Sequence, residues 1–97
     1  MTLTKVVHCK KKPYDVYIGR PSKWGNPYVI GKDGDRSQVI YKYMMYIFME
    51  IDKNPLLEDE IMRELGGKIL GCYCYPQRCH GYILAAIADG KGYQMGL

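Results

Sequence analysis

The distribution of apolar and polar residues predicts short strands in the first third of the chain. Two β-prone runs, residues 5–9 and 14–18, are rich in branched and aromatic side chains and are separated by a polar break that contains Pro13. This arrangement is compatible with a hairpin that has a loose loop. A third short strand is expected at residues 28–30, because a Gly-Lys-Asp-Gly turn at residues 31–34 follows it.

The longest apolar pattern predicts a helix that begins after Asp35. Asp35 and Gln38, three residues later, form a capping-box pattern. Apolar residues then recur at helical spacing and form the expected core-facing stripe, which comprises Ile40, Tyr43, Met44, Ile47, Phe48 and Ile51. Other apolar residues lie off this stripe, namely Tyr41, Met45, Tyr46 and Met49. In a small chain, a helix with apolar residues on most sides favours a homodimer contact.

The second half of the chain predicts a helix, a strand and a final helix. Asn54 suits the N-cap of the first of these helices and Pro55 its first position, and two glycines at residues 66–67 end it. An apolar run at residues 68–70 predicts a strand, and residues 82–88 predict the last helix. The fold class is therefore α/β: a small domain with a short mixed sheet and about three helices, in the order β-β-(β)-α-α-β-α.

Length and composition indicate one globular domain over residues 1–97. The chain is 47% hydrophobic and 25% charged, and it is too short for a second core. Its first residues contain no long apolar run, so we expect a cytoplasmic protein without a membrane partner. In that compartment the four cysteines are expected to be thiols or metal ligands and not disulfides. Residues 90–97, with three glycines, are expected to form a loosely ordered tail.

The net charge of +4 is concentrated in the first part of the chain. Residues 1–36 contain eight of the 14 Lys and Arg residues and three of the 10 acidic residues. Such a basic half is suited to contact with phosphate. The Lys10–Lys12 run is equally typical of a solvated charged face.

A loop between the last strand and the last helix contains most of the chemistry of the chain. Residues 71–81 hold three of the four cysteines and one of the two histidines. The C-x-C-x4-C-H spacing supplies three thiols and an imidazole, which is a common ligand set for zinc. The candidate zinc ligands are Cys72, Cys74, Cys79 and His80, and Cys9 or His8 is a possible substitute for one of them.

Two other interpretations of this loop remain open. A thiolate close to a helix N-terminus is a nucleophile, so Cys74, Cys79 and His80 are candidate catalytic residues. Alternatively, N–H groups at the start of the helix, together with Arg78 or His80, hold a phosphate or a carboxylate. A simpler alternative to these three interpretations of the loop is that the cysteines are packed in the core and His80 caps the helix.

A second informative stretch is residues 19–27. It combines Arg20, Lys23, Asn26 and the only tryptophan, Trp24, with several chain-bending residues. A guanidinium group makes paired hydrogen bonds with an anion. An indole ring stacks on a nucleobase, although a single tryptophan in a small protein is more often part of the core.

These two stretches resemble the motifs of the domain of unknown function 4326 family, R-x3-WGNP and C-x-C-x-P-x2-CHG. The resemblance extends over about residues 6–88 and implies a bacteriophage or bacterial origin, but it implies no reaction. It directs attention to Arg20, Trp24, Gly25, Asn26, Pro27, Asp35, Arg36, Cys72, Cys74, Pro76, Cys79, His80 and Gly81. The chain departs from the family pattern at Tyr73, where a tryptophan is expected, and at Tyr82, where an aspartate is common.

We therefore expect a phage-encoded binding module for an anionic, nucleotide-like ligand or nucleic acid, with its site at the Cys-His loop. The candidate ligand-binding residues are Arg20, Lys23, Trp24, Asn26, Arg36, Arg78 and His80. One alternative is an enzyme that uses a cysteine thiolate or a His acid–base group. The other is a structural module that binds zinc, the only cofactor that the sequence suggests.

Overall fold

The computed structural model describes residues 3–73, 77 and 79–90, and within them it contains three strands and three helices. They are β1 (Lys5–His8), β2 (Val16–Tyr17), α1 (Arg36–Lys53), α2 (Leu56–Leu65), β3 (Ile69–Cys72) and α3 (Gly81–Ala88). This order confirms the predicted α/β class. The prediction of a third strand at residues 28–30 is wrong. That segment forms a turn, in which the N–H of Val29 donates to the Asp33 carboxylate at 2.8 Å.

The three strands form one parallel sheet in the order β1-β3-β2. The prediction of a hairpin between the first two strands is therefore wrong, because β3 lies between them. The sheet is also fully parallel and not mixed. Leu70, Gly71 and Cys72 are all buried, which is typical of a central parallel strand with both faces covered. Since all strands point the same way, their carboxyl ends meet at one edge.

Helix α1 begins as the sequence predicts. The N–H of Gln38 donates to the Asp35 carboxylate at 2.9 Å, and the N–H of Asp35 donates to the Gln38 side chain at 2.8 Å. The predicted stripe faces the core: Tyr43 and Ile47 are buried, and Ile40, Met44, Phe48 and Ile51 are packed against them. The four apolar residues off the stripe are exposed.

Helices α2 and α3 complete the core. Helix α2 begins one residue later than expected, after Pro55, and the side chain of Asn54 still accepts from the N–H of Leu56 at 3.3 Å. Helix α3 has six buried residues among its eight and lies against the sheet and α2. Within the described residues, no helix is both long and apolar enough to cross a membrane. The tail predicted at residues 90–97 falls outside the described residues except for Gly90.

Candidate functional site

A cavity of about 410 Å³ lies beside the edge of the sheet where the strands end. Three separate segments line it: the loop after β2, the first turns of α1 and the connection between β3 and α3. Its polar lining includes Arg20, Asn26, Arg36 and His80, and its aromatic lining includes Tyr17, Tyr28 and Tyr73. Ligands of α/β proteins bind at this edge of the sheet, so the cavity is the leading candidate for a binding site.

Positive charge in the cavity comes from Arg20 and Arg36. Arg20 is exposed, and Arg36 is the first residue of α1. Two acids, Asp15 and Asp35, have partners other than Arg20. The Asp15 carboxylate accepts from the N–H of Ile69 at 2.8 Å, and Asp35 caps α1. Among the described residues, no carboxylate lines the cavity or forms an ion pair with Arg20. The cavity is therefore electrostatically suited to an anion.

Asn26 fixes one wall of the cavity. Its side-chain N–H donates to the carbonyl of Val39 in α1 at 3.1 Å, and its oxygen accepts from the N–H of Tyr28 at 2.9 Å. Both ends of the amide are thus used to fasten the loop to α1. Asn26 positions the loop that carries Tyr28, and these bonds leave a single side-chain N–H for any other partner.

His80 is a buried connection between α3 and the loop after β2. Its Nε2 lies 2.7 Å from the carbonyl oxygen of Ile18, which only accepts, so Nε2 carries a hydrogen. Burial lowers the pKa of His80, and the positive charge of Arg20 acts in the same direction. Hydrogen bonds to the carbonyls of Ile18 and Trp24 offset part of this effect. A neutral His80 therefore holds the cavity wall in place.

The two described cysteines of the loop are close neighbours. Their sulfurs, in Cys72 and Cys79, lie 3.1 Å apart, and the N–H of Gly81 donates to the Cys79 sulfur at 3.3 Å. The helix contains glycine at residue 81 for a steric reason, because a Cβ there would lie 2.8 Å from the Ile18 side chain. This close packing brings the start of α3 against the loop that carries Arg20.

The start of α3 does not direct its N–H groups into the cavity. The N–H of Gly81 is bonded to sulfur, that of Tyr82 donates to the Cys79 carbonyl at 3.2 Å and that of Ile83 donates to the His80 carbonyl at 3.0 Å. The expectation that unpaired N–H groups of this helix bind phosphate is therefore revised. Arg20 and Arg36 are then the cationic residues of the cavity lining.

Comparison with known proteins identifies the family of the chain. The family model of a domain of unknown function, DUF4326, matches residues 2–90. The chain belongs to the DUF4326 family. It is similar to an uncharacterized 12.4 kDa protein in the nrdA-td intergenic region of Enterobacteria phage T4, with 33% identity over 87 residues, 90% of this chain and 79% of the phage protein. No solved structure matches it significantly.

Two of the candidate ligand-binding residues of this DUF4326 chain do not line the cavity. The Lys23 ammonium lies 3.0 Å from Glu60 and 2.9 Å from Glu64 of α2, and these hydrogen bonds raise the pKa of Lys23. Trp24 is only 4% exposed, and its carbonyl accepts from the Tyr43 hydroxyl at 3.0 Å. Lys23 also covers the indole ring, at 4.9 Å from the ring to Nζ. Both residues stabilise the loop.

The zinc interpretation depends on a residue that the structure does not describe. Cys74 and Arg78 lie outside the described residues. Within the described ranges there is no group of three or more His, Cys, Asp or Glu side chains that could hold a metal. Nε2 of His80 is bonded to the protein backbone. Zinc binding therefore stays a prediction, and so do the roles assigned to Cys74 and Arg78.

The aromatic lining of the DUF4326 cavity was not predicted from the sequence. Tyr17 ends β2 and Tyr73 directly follows β3, so both belong to strand ends at the same edge. Tyr28 lies in the turn that was expected to be a strand. The position of these residues in the sequence could have indicated this lining, because an aromatic residue at the carboxyl end of a parallel strand is placed at the ligand-binding edge.

Proposed function

We propose that this protein is a binding module for a small anionic ligand of the nucleotide type, held in the cavity. The observation that carries the proposal is that Arg20 and Arg36, from separate segments, line one cavity in which the described residues place no carboxylate. Guanidinium groups make paired, charge-assisted hydrogen bonds to phosphate. Two of them around one cavity favour a phosphate group over a neutral ligand.

The rest of the cavity is suited to a planar ring. Tyr17, Tyr28 and Tyr73 add aromatic surface to its lining, and Val39 and Ile40 add aliphatic surface. Nucleobases stack on such rings. The volume of about 410 Å³ falls within the range of about 300–1,000 Å³ that is typical of small-molecule sites. A phosphate and a base on the same ligand would use both parts of the lining.

The family relationship supports a phage context for this function. The chain belongs to the DUF4326 family and is similar to a protein of phage T4. A phage-encoded nucleotide-binding module would act in the cytoplasm of the infected cell. The family description specifies no ligand, so the ligand class rests on the cavity alone.

Thermal unfolding with and without ligand tests the proposal. We expect millimolar AMP or thymidine 5′-monophosphate to raise the melting temperature, since a ligand at 100 times its Kd stabilises the folded state by about 2.7 kcal/mol. Arg20→Ala removes this shift because it removes one phosphate contact. Arg63→Ala, which removes an exposed arginine from the last turn of α2, is the matched control and retains the shift.

The same experiment separates a binding role of Arg20 from a structural one. If Arg20 only held the loops, Arg20→Ala would lower the stability of the ligand-free protein by about 1–3 kcal/mol. If Arg20 only binds the ligand, Arg20→Ala leaves the melting temperature of the ligand-free protein nearly unchanged. If neither nucleotide nor inorganic phosphate shifts the wild-type melting temperature at millimolar concentration, the anion-binding proposal is wrong.

An enzyme is the second candidate, and one contact favours it. Cys79 lines the cavity and its sulfur accepts from the N–H of Gly81, and such a bond stabilises a thiolate. Product analysis of the same nucleotide incubations distinguishes the two functions. Turnover by the wild type that is lost in Cys79→Ser would identify an enzyme. An unchanged nucleotide, with equal melting shifts in both proteins, would identify a binding module.

A further inference from the structure

Four aromatic rings form a row that includes the ends of the three strands, and the row extends beyond the cavity. His8 ends β1, Tyr73 follows β3 and Tyr17 ends β2. The ring of Tyr73 lies 6.0 Å from that of His8 and 6.1 Å from that of Tyr17. Tyr14 continues the row at 6.3 Å from Tyr17. We call these four rings the aromatic row. Its order follows the order of the strands in the sheet, so the fold assembles it from three separate segments.

Two rings of the row contact neighbouring backbone, and the row remains partly exposed. The hydroxyl of Tyr17 donates to the carbonyl of Arg20 at 2.9 Å. Tyr14 packs directly on Gly71 of β3, where a Cβ would lie 2.6 Å from the tyrosine ring. Tyr73 is nevertheless 56% exposed and Tyr14 is 43% exposed. Exposed aromatic surface of this kind marks an interaction site.

Three exposed lysines flank the row on the turn after β1. The N–H groups of Lys11 and Lys12 donate to the carbonyl of His8 at 3.0 and 3.1 Å, and the N–H of Lys10 donates to Nδ1 of His8 at 3.1 Å. The Lys10 ammonium lies 5.9 Å from the centre of the Tyr73 ring. The turn is thus fastened to the first ring of the row, and its positive charge is placed beside the aromatic surface.

The row and the cavity share a wall. Tyr17 and Tyr73 belong to both, whereas His8, Tyr14 and the Lys10–Lys12 turn lie outside the cavity lining. A single nucleotide in the cavity would use the two arginines but not the lysines or the outer rings. A ligand that uses all of these groups must extend from the cavity and carry further bases and phosphates.

We propose that the aromatic row and the Lys10–Lys12 turn bind single-stranded nucleic acid, one nucleotide of which occupies the cavity. This inference rests on the proposed function, because it assigns the cavity to one unit of the strand. Aromatic side chains beside a positively charged track are the common platform for single strands, since every unpaired base has a face that stacks. The bases of a duplex are stacked on one another and present no free face to the row.

Binding of oligonucleotides of increasing length tests this inference. Anisotropy of labelled dT2, dT4 and dT8, and of rU8, is compared with thymidine 5′-monophosphate and with an eight-base-pair duplex. We expect the eight-nucleotide strands to bind at least about 30-fold more tightly than the mononucleotide, because additional bases stack and additional phosphates contact lysines. The duplex binds more weakly than the single strands.

Variants separate the contributions of the rings and the lysines. Tyr14→Leu lowers the affinity for dT8 roughly tenfold and leaves that for the mononucleotide unchanged, whereas Tyr14→Phe retains the wild-type affinity. Replacement of Lys10, Lys11 and Lys12 by Gln reduces the slope of log K against log salt by about 2, since each phosphate contact contributes about 0.7. The matched control replaces Lys5, Lys53 and Lys68 by Gln and retains the slope.

Other results of these binding experiments would contradict either the single-strand inference or the proposed function. If the mononucleotide binds and the affinity does not increase with strand length, the single-strand inference is wrong and the proposed function stands. Equal binding of the duplex, or an unchanged dT8 affinity in Tyr14→Leu, also overturns the inference, because the contact is then one of charge alone. If neither mononucleotide nor oligonucleotide binds, both proposals are wrong.

Discussion

His80 shows how the fold uses a residue that a motif singles out. A histidine beside cysteines suggested a metal ligand or a catalytic base. In the structure its Nε2 is bonded to the Ile18 carbonyl and its ring packs at 4.9 Å from that of Tyr43. Residue type and spacing alone cannot distinguish these roles, because the partner of His80 lies 62 residues away in the sequence.

The lowered pKa of His80 predicts that the protein loses stability in mild acid. The pKa is about 6.5 in the unfolded chain and lower in the folded protein, mainly because burial disfavours the charged ring. The unfolded state therefore binds more protons between these two values. The contribution of His80 is fully present above about pH 6.5 and is lost as the pH falls through the folded pKa.

Urea unfolding between pH 8 and pH 5 measures this effect. We expect the unfolding free energy to fall below about pH 6.5, by up to about 1.4 kcal/mol for each pH unit between the two pKa values. His80→Gln is less stable at pH 7.5 and lacks this part of the pH dependence. His8→Gln, which alters the other histidine, retains it. An unchanged pH profile in His80→Gln would show that the drop belongs to other groups.

Helices were predicted well at the scale of single elements, because their signals are local. The capping box at Asp35, the stripe from Ile40 onward and the glycines after α2 all lie within a few residues of the feature that they determine. Strand pairing was predicted poorly, because a parallel sheet joins segments that are far apart. Lys5 pairs with Ile69 and Val16 pairs with Leu70, and no local pattern indicates which strand lies in the centre.

The N-cap of α1 gives a prediction at this scale. Asp35→Ala removes the acceptor of the Gln38 N–H and is expected to destabilise the protein by about 1 kcal/mol. The loss also loosens the first turn of α1, which carries Arg36 into the cavity. Asp35→Ser keeps an acceptor and is the matched control. Denaturant unfolding measures both variants, and equal stabilities of Asp35→Ala and Asp35→Ser would show that the cap contributes little.

At the scale of the whole molecule, the sequence predicted part of the site. Arg20, Arg36 and His80 were among the candidate ligand-binding residues, and all three line the cavity. Lys23 was also a candidate ligand-binding residue, but it does not line the cavity. Its acidic partners, Glu60 and Glu64, lie on α2, so only the folded chain reveals that they draw this ammonium away from the cavity.

The exposed apolar residues of α1 predict that the protein forms a homodimer. Tyr41 and Met49 are 57% and 56% exposed, and Met45 and Tyr46 are each 38% exposed. We expect this face to form a homodimer contact, because contiguous apolar surface of this kind is unfavourable in water. Light scattering at micromolar concentration should give twice the monomer mass.

A charge placed in this face tests the contact directly. Met49→Glu buries a carboxylate in the proposed dimer interface, so we expect at least about a tenfold weaker association. Leu56→Glu is the control, because Leu56 is 71% exposed at the start of α2 and is not part of the α1 face. Monomeric wild-type protein would contradict the prediction. A dimer that persists in Met49→Glu would show that the two copies meet through another surface.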